Sequence, residues 1–359
     1  MHPTELGRAT GRRSRSIPAM VLWILARSGG VSRAWVAMLL VGMGMGSGCA
    51  GRHGTRPLPR KGQEIVVCGQ FFPIGTRVIT WLDPRGYDAY RVERRFAAWT
   101  NADWKASVAE NKGLGTPNRY GLRKDGLAPA DIERLRGGGW SLPELQARVD
   151  QFVLHYDACG TSRRCFEVLH DLRGLSVHFM LDADGTIYQT LDLKERAWHA
   201  TTSNSRSVGV EIAQAGAFPP GQRQRLDAFY ADAPDGVRLQ FPEWIGPPAL
   251  ATPGFVGHPA RPGPILGRIQ GTEWIQYDFT PEQYAALAKL AAALHRIFPG
   301  LVLDAPRGAD GRVTTDTLPA ERLANYRGIL GHYHVQPNKV DPGPAFDWER
   351  LLRTARSAR

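Results

Sequence analysis

Residues 176–190 read SVHFMLDADGTIYQT, and this stretch decides the fold that the sequence predicts. Two apolar runs within it, Ser176–Leu181 and Thr186–Thr190, have the composition of short β-strands. Turn residues at 182–185 join them, and an Asp-Gly pair between two such runs is a strong hairpin signal. The stretch therefore predicts a hairpin within a larger sheet.

Strand-like and helix-like segments continue on both sides of this hairpin. Thr280, Pro281 and Gln283 predict a helix start with an N-cap, a proline in the first turn and a capping box. The other predicted segments are the strand Gln151–His155, the helix Arg163–Leu172, the strand Ser207–Ala213 and a strand that runs into Gly331-His332. Together they predict an α/β fold with a mixed central β-sheet flanked by helices.

Two regions lie outside this pattern. Residues 63–150 are interpreted as an N-terminal extension packed on the domain of residues 151–359; its predicted elements are the strands Glu64–Cys68 and Arg77–Leu82 and the helix Leu142–Val149. Residues 217–279 contain ten Pro and eight Gly, which predicts an irregular insertion. Its many aromatic side chains predict that it packs along one side of the functional cleft; a surface decoration is the alternative.

The N-terminus has the features of an export signal. Arginines at 12, 13 and 15 precede one short apolar run, and a second apolar run ends in Gly46-Ser-Gly-Cys49. Small residues before a cysteine resemble the bacterial lipoprotein cleavage box, although Gly46 stands where that box usually has Leu. We therefore expect residues 1–49 to direct export to the periplasm or outer membrane with a lipid on Cys49, and residues 50–62 to form a tether. A plain cleaved signal is the alternative.

The charge balance argues against a nucleic-acid partner. The chain carries a formal +11, but six arginines and one acid lie in residues 1–49, so the remainder carries +6. That excess is spread along the chain, whereas a nucleic-acid protein concentrates its basic residues. A mildly basic surface suits an anionic polymer or an anionic membrane face.

The C-terminal stretch at residues 331–343, GHYHVQPNKVDPG, brings several reactive side chains together. Lys339 and Asp341 are two residues apart in a segment that the following proline favours as extended, so both side chains can face the same side. His332 can share that pocket with His155, although a lone histidine at a strand end is more often a core residue. Two imidazoles and one carboxylate bind zinc with a fourth position open, which is the catalytic pattern.

Glu211 adds a second carboxylate. In the strand SVGVEIA at residues 207–213, Glu211 shares a face with Ser207 and Gly209, while the larger apolar residues form the other face. A carboxylate beside small residues predicts a cleft, since a buried carboxylate without a partner is costly.

Several segments resemble the amidase-2 family, the zinc N-acetylmuramoyl-L-alanine amidases and peptidoglycan recognition proteins. The matching segments, in the family's order, are VLHYDACG at 153–160, LSVHFMLDADGTIYQ at 175–189, RAWHA at 196–200, SVGVEIA and GHYHVQPNKVDPG. The resemblance covers residues 150–350, apart from the insertion. It implies a peptidoglycan or muropeptide substrate and hydrolysis of the amide between N-acetylmuramic acid and L-alanine.

The resemblance also implies a role for each matching residue. By it, His155, His332 and Asp341 are the ligands of Zn²⁺, and the aspartate is similar to the third ligand of the bacterial enzymes. Glu211 and Lys339 match the catalytic acidic residue and lysine, which would move a proton and stabilise an oxyanion.

The remaining resemblances concern the substrate and a disulfide. His199 and the adjacent Trp198, in the W-H-A motif, match substrate-contacting positions. The pair Cys159 and Cys165, six residues apart, is similar to a disulfide of the recognition proteins. One departure is His178, preceded by Val177, where some relatives have a tyrosine near the site.

The resemblance leaves a binding protein as the alternative function. Recognition proteins of this fold often lack a zinc ligand and only bind peptidoglycan, so the fold alone does not decide between binding and catalysis. Because the sequence keeps all three ligands with Glu211 and Lys339, we expect the enzyme. A structural lipoprotein with an unused cleft is disfavoured for the same reason.

Overall fold

The computed structural model describes residues 60–111, 119–136 and 139–358. The predicted export signal, Cys49 and all but the last three residues of the predicted tether lie outside these ranges. Among the described helices, none combines the length and the apolar character that a membrane crossing needs.

The described part of the chain contains both short and long elements. The strands are β1 (Glu64–Val67), β2 (Gln70–Pro73), β3 (Val78–Thr80), β4 (Tyr120–Gly121), β5 (Gln151–Tyr156), β6 (Phe179–Leu181), β7 (Ile187–Gln189), β8 (Arg196–Ala197), β9 (Ser207–Ile212), β10 (Tyr230–Ala233), β11 (Gly236–Leu239), β12 (Pro264–Ile269), β13 (Thr272–Tyr277) and β14 (Gly328–Gly331). The α-helices are α1 (Trp104–Glu110), α2 (Pro129–Leu135), α3 (Leu142–Gln146), α4 (Ser162–Phe166), α5 (Pro281–Ile297), α6 (Ala320–Asn325), α7 (His332–Val335) and α8 (Trp348–Ser357). A π-helical turn, Glu167–Leu172, continues α4.

Six strands form the central sheet in the order β14-β5-β9-β6-β7-β3. The four strands from β14 to β6 run parallel, β6 and β7 form the predicted antiparallel hairpin, and β3 pairs with β7 in parallel. The predicted mixed α/β sheet is therefore confirmed. Because β14, β5, β9 and β6 are parallel neighbours, their carboxyl ends meet at one edge of the sheet.

The two faces of this sheet are buried differently. Phe152 and Leu154 of β5, and Val208 and Val210 of β9, pack into the main core with apolar residues of α5 and α8. Alternate side chains of the same strands point to the opposite face. The predicted alternation in Ser207–Ala213 is confirmed, and its small-residue face lies away from the main core.

The N-terminal extension takes part in this sheet. Its two predicted strands are confirmed as β1 and β3, and β3 forms one edge of the central sheet. The side-chain amide of Gln189 bonds both the N–H and the carbonyl of Val66, at 2.7 and 2.8 Å, in the way that a neighbouring strand would. The extension thus covers the outer hairpin of the sheet.

The expectation that residues 217–279 are irregular is wrong in part. Two antiparallel hairpins, β10–β11 and β12–β13, lie within this range. The high Pro and Gly content concealed them, although most of those residues occupy the turns and the connecting segments and only three lie within the strands. Aromatic stacking of Tyr230 on Tyr277, with ring centroids 4.1 Å apart, packs the first hairpin against the second.

Helix α5 starts as the sequence predicts. The Thr280 hydroxyl accepts from the Gln283 N–H at 3.1 Å, and the Gln283 side chain accepts from the Thr280 N–H at 3.0 Å. The same hydroxyl donates to the carbonyl of Ala183 at 2.7 Å, in the turn of the β6–β7 hairpin. One side chain therefore both caps the longest described helix and fixes it to the sheet.

Replacing Thr280 by alanine tests that double contact. Thr280→Ala removes the cap and leaves a buried carbonyl unpaired, so we expect the free energy of unfolding to fall by about 2 kcal/mol in urea denaturation. Thr280→Ser keeps the hydroxyl and is the matched control. Equal stability of the alanine and serine variants would contradict this account of the helix start.

Candidate metal centre

Two candidate residues lie on adjacent parallel strands at the carboxyl edge of the sheet. His155 of β5 and Glu211 of β9 are direct register partners. Neighbouring strands are about 4.8 Å apart, and partner residues in a parallel pair point to the same face. The register therefore holds both side chains on the face opposite the main core, one strand apart.

The other two candidate ligands come from the segment after β14. His332 is the first residue of α7, directly beyond the strand that pairs with β5, and Asp341 follows in a turn-rich loop. The Asp341 carbonyl accepts from the N–H of Tyr333 at 3.2 Å, which brings the loop back beside the start of α7. Strand pairing and this hydrogen bond bring the two residues to His155.

Three atoms of these side chains converge. The Nδ1 atom of His155 lies 3.0 Å from Nδ1 of His332 and 2.8 Å from Oδ2 of Asp341. His332 Nδ1 lies 3.0 Å from the same carboxylate oxygen. All three side chains are buried, and among the described residues this is the cluster of His, Cys, Asp and Glu side chains that could hold a metal ion.

Protons cannot satisfy all three contacts. Each Nδ1 carries at most one proton. If both rings donate to Asp341, the two Nδ1–H groups lie close together and repel each other. A cation between the three atoms would instead meet a lone pair from each of them. Two imidazole nitrogens and one carboxylate oxygen are a donor set that zinc prefers, with a fourth position left over. The residues present fit a zinc ion.

The second nitrogen of each ring has its own partner. His332 Nε2 lies 2.7 Å from Oε1 of Gln336, an acceptor, so Nε2 carries the proton and Nδ1 presents its lone pair. His155 Nε2 lies 3.0 Å from Nδ1 of His199. Such outer contacts fix the tautomer and the orientation of metal-binding imidazoles.

Electrostatics keep the cluster in a form that can bind a cation. Burial, followed by the neighbouring His332, lowers the pKa of His155 to about 4, so its ring is neutral. Burial alone would raise the pKa of Asp341, but His332 and His155 outweigh it and hold that pKa below its ordinary range. The neutral imidazole of His155 and the carboxylate of Asp341 are therefore both present near neutral pH, as metal binding requires.

A cleft of about 260 Å³ opens beside this cluster. Its lining includes the three clustered side chains and the other predicted site residues: Glu211, Lys339, Trp198 and His199. Burial, followed by the carboxylates of Asp341 and Asp157, raises the pKa of Glu211 above its ordinary value. The cleft thus holds a proton-binding carboxyl and a cationic side chain next to the candidate metal position.

The structure differs from the disulfide expectation. Cys159 and Cys165 are both free and both line the cleft. Their side chains are neighbours. Burial raises the pKa of Cys165 above its ordinary value, which favours the protonated thiol.

The loop that carries Lys339 and Asp341 is held by two glutamines of the insertion. Gln270 Nε2 lies 2.9 Å from the carbonyl of Gln336 and 3.1 Å from that of Lys339. The Gln276 side chain donates to the carbonyl of Pro342 and accepts from the N–H of Ala345, both at 3.0 Å. The β12–β13 hairpin therefore supports the third ligand, a role that the sequence did not reveal.

The first half of the insertion packs beside the cleft. Phe229 lies against the backbone of Gly160, in the loop after β5, so closely that a Cβ at Gly160 would come within 2.8 Å of the ring. A second cleft of about 380 Å³, lined by Phe218, Trp244 and eight other residues, shares Tyr156 and Ala158 with the first. The prediction that the insertion packs onto the domain is confirmed.

Sequence reasoning missed several supporting residues. Gln336 could have been found, since it lies four residues after His332, the spacing of neighbours on a helix face. Gln270, Gln276 and Arg123, which donates to the carbonyl of Ser207 at 2.9 Å, had no such local signal, because they are distant along the chain from the residues they hold.

Comparisons with known proteins agree with this geometry. Residues 145–344 match the family model described as "N-acetylmuramoyl-L-alanine amidase", Amidase_2. The chain is similar to the 1,6-anhydro-N-acetylmuramyl-L-alanine amidase AmpD of Haemophilus influenzae, with 22% identity over 221 residues, which are 61% of this chain and 74% of that protein.

Two solved structures are also similar to parts of the chain. A selenomethionine derivative of AmpD has 19% identity and a TM-score of 0.30, with 67% of this chain and 92% of that chain covered. The Escherichia coli amidase AmiD, in complex with an anhydro-N-acetylmuramic acid peptide, has 18% identity and a TM-score of 0.32, with 58% and 57% covered. With TM-scores below 0.5, neither likeness carries the assignment, which rests on the family match.

The matched range spans more than half of the chain and contains His155, His332, Asp341, Glu211 and Lys339. It also contains the four parallel strands that bring these residues to one edge of the sheet. The chain belongs to the Amidase_2 family of N-acetylmuramoyl-L-alanine amidases.

Proposed function

We propose that this protein hydrolyses the amide between N-acetylmuramic acid and L-alanine in peptidoglycan or muropeptides, with zinc held by His155, His332 and Asp341. The observation that supports this most directly is the convergence of two Nδ1 atoms and one carboxylate oxygen within 3.0 Å of one another. Family membership supports the substrate class, and the solved AmiD complex contains a muropeptide of that kind.

Each side chain of the cleft has a part in this proposal. When bound, zinc would act as a Lewis acid that polarises a carbonyl and brings the pKa of water to about 7. Glu211 would take a proton from the attacking water and deliver it to the leaving nitrogen, a role that suits a carboxyl whose pKa is raised. Lys339 would stabilise the developing oxyanion by about 3 kcal/mol, and Trp198 would contact the substrate.

A peptidoglycan-binding protein without activity is the alternative. Loss of one ligand or of the proton carrier would favour it, but all five residues are present and all line one cleft. We therefore prefer the enzyme, and the two following variants separate the metal from the chemistry.

The first variant removes a ligand. We expect Asp341→Ala to lose bound zinc and amidase activity on purified sacculi, because the two imidazoles hold the ion poorly without the carboxylate. Elemental analysis of the purified protein is the measurement, and Asp316→Ala, at an exposed carboxylate, is the control. Unchanged zinc content in Asp341→Ala would remove Asp341 from the ligand set.

The second variant removes the proton carrier and keeps the metal. Glu211→Gln should retain zinc and wall binding while kcat falls by about a hundredfold or more, because an amide cannot relay the proton. The control is Glu321→Gln, at an exposed carboxylate on α6. Near-normal turnover with normal zinc content would assign the proton transfer to another group.

We also propose export, to the periplasm or as an outer-membrane lipoprotein. The basic region, the apolar runs and Gly46-Ser-Gly-Cys49 support this. Palmitate labelling in a bacterial host should mark the wild-type protein and leave Cys49→Ser unlabelled. An unlabelled wild-type protein with a cleaved N-terminus would favour a plain signal, and an uncleaved N-terminus in the cytoplasm would contradict export.

A further inference from the structure

We infer that His199 is a positioning residue that fixes the ring of His155, and that it is not a substrate contact. The inference rests on the proposed metal centre and assigns His199 a role different from the one that the family resemblance implies. It is carried by the contacts of both ring nitrogens, by the space around the ring and by the anchoring of the segment that carries it.

The ring nitrogens of His199 are both engaged. Nδ1 lies 3.0 Å from Nε2 of His155, with the two rings nearly perpendicular at 86°. Nε2 lies 3.3 Å from the hydroxyl of Ser207. If the lone pair on His155 Nδ1 faces the cluster, its Nε2–H donates to His199, whose own Nε2–H donates to Ser207. This ordered chain leaves no ring nitrogen of His199 for a substrate.

The space for this ring is provided by a glycine. Gly209 lies between Ser207 and Glu211 on the same face of β9, and a Cβ there would come within 2.5 Å of Cε1 and Nδ1 of His199. The N–H of Gly209 donates to Nδ1 of His178, whose ring stands edge-on to His199 with centroids 5.8 Å apart. The half-buried imidazole is therefore confined to its present orientation, with part of the residue still lining the cleft.

The backbone around His199 is anchored as well. The Asn204 side chain accepts from the N–H groups of His199 and Ala200, at 3.1 and 2.6 Å. Fully buried Arg123 donates to the carbonyls of Asn204 and Ser207, at 3.2 and 2.9 Å. Arg123 lies before the range that matches the family, so the N-terminal extension takes part in holding this segment.

Zinc affinity of purified full-length variants, measured by competition with a chelator, tests the inference. His199→Ala frees the His155 ring, and loss of an outer partner of this kind weakens metal binding about 10–100-fold. His199→Asn should restore affinity to within a few-fold of wild type, because its Oδ1 occupies the place of the imidazole Nδ1. Gly209→Ala should weaken zinc binding, because the added methyl group displaces the His199 ring without removing it. Gly221→Ala is its control, since a Cβ at that position meets no other atom.

Two outcomes would overturn the inference. One is a folded His199→Ala protein with wild-type zinc affinity; a raised KM in that protein would restore the substrate role. The other is an asparagine variant that binds zinc as weakly as the alanine variant.

A second measurement separates this inference from the proposed function. If wild-type protein binds no zinc, the proposed function fails. The orientation of the His155 ring can still be measured in metal-free protein. Long-range ¹H–¹⁵N spectra should show a single tautomer of His155 in wild type and a mixture of tautomers in His199→Ala. Identical spectra would contradict the positioning role.

Discussion

Three buried polar atoms that cannot satisfy one another with protons determine much of this structure. His155, His332 and Asp341 come from two strand ends and a loop, and each is buried at the base of the cleft. Burying such groups without compensation costs several kcal/mol, so the arrangement is stable only if surrounding contacts or a cation offset that cost. The outer hydrogen bonds from Gln336 and His199 supply part of the compensation. The same arrangement makes the cluster a binding site.

The sequence predicted those parts of the structure that depend on local signals. The Asp-Gly hairpin, the alternating faces of Ser207–Ala213 and the Thr280 capping box involve residues within a few positions of one another, and all three are confirmed. The residues themselves suggested a site of two imidazoles and one carboxylate, but the family resemblance assigned His155 to it, because spacing within one segment relates only His332, Lys339 and Asp341. The pairing of β14 with β5 brings His332 to His155, and strand pairing of this kind joins segments that are distant in the sequence.

The parts that the sequence did not predict depend on contacts between residues that are far apart in the chain. Gln270 reaches carbonyl groups more than sixty residues later in the chain, and Arg123 reaches carbonyl groups more than eighty residues later. Neither residue type carries a signal for such a role in the local sequence. The hairpins of the insertion were missed because its Pro and Gly content is high, although most of these residues lie outside the paired strands.

The attachment of the Lys339–Asp341 loop to the β12–β13 hairpin has a consequence for dissecting this protein. The hairpin lies in a segment whose high Pro and Gly content predicts an irregular insertion. Its Gln276 amide nevertheless packs so closely on Gly343 that no side chain would fit at position 343. A shortened chain that joined β9 directly to α5 would retain every ligand in its sequence and still lack the scaffold that orders the third one. The smallest autonomous unit is therefore larger than the set of family motifs, and residues 264–279 belong to it.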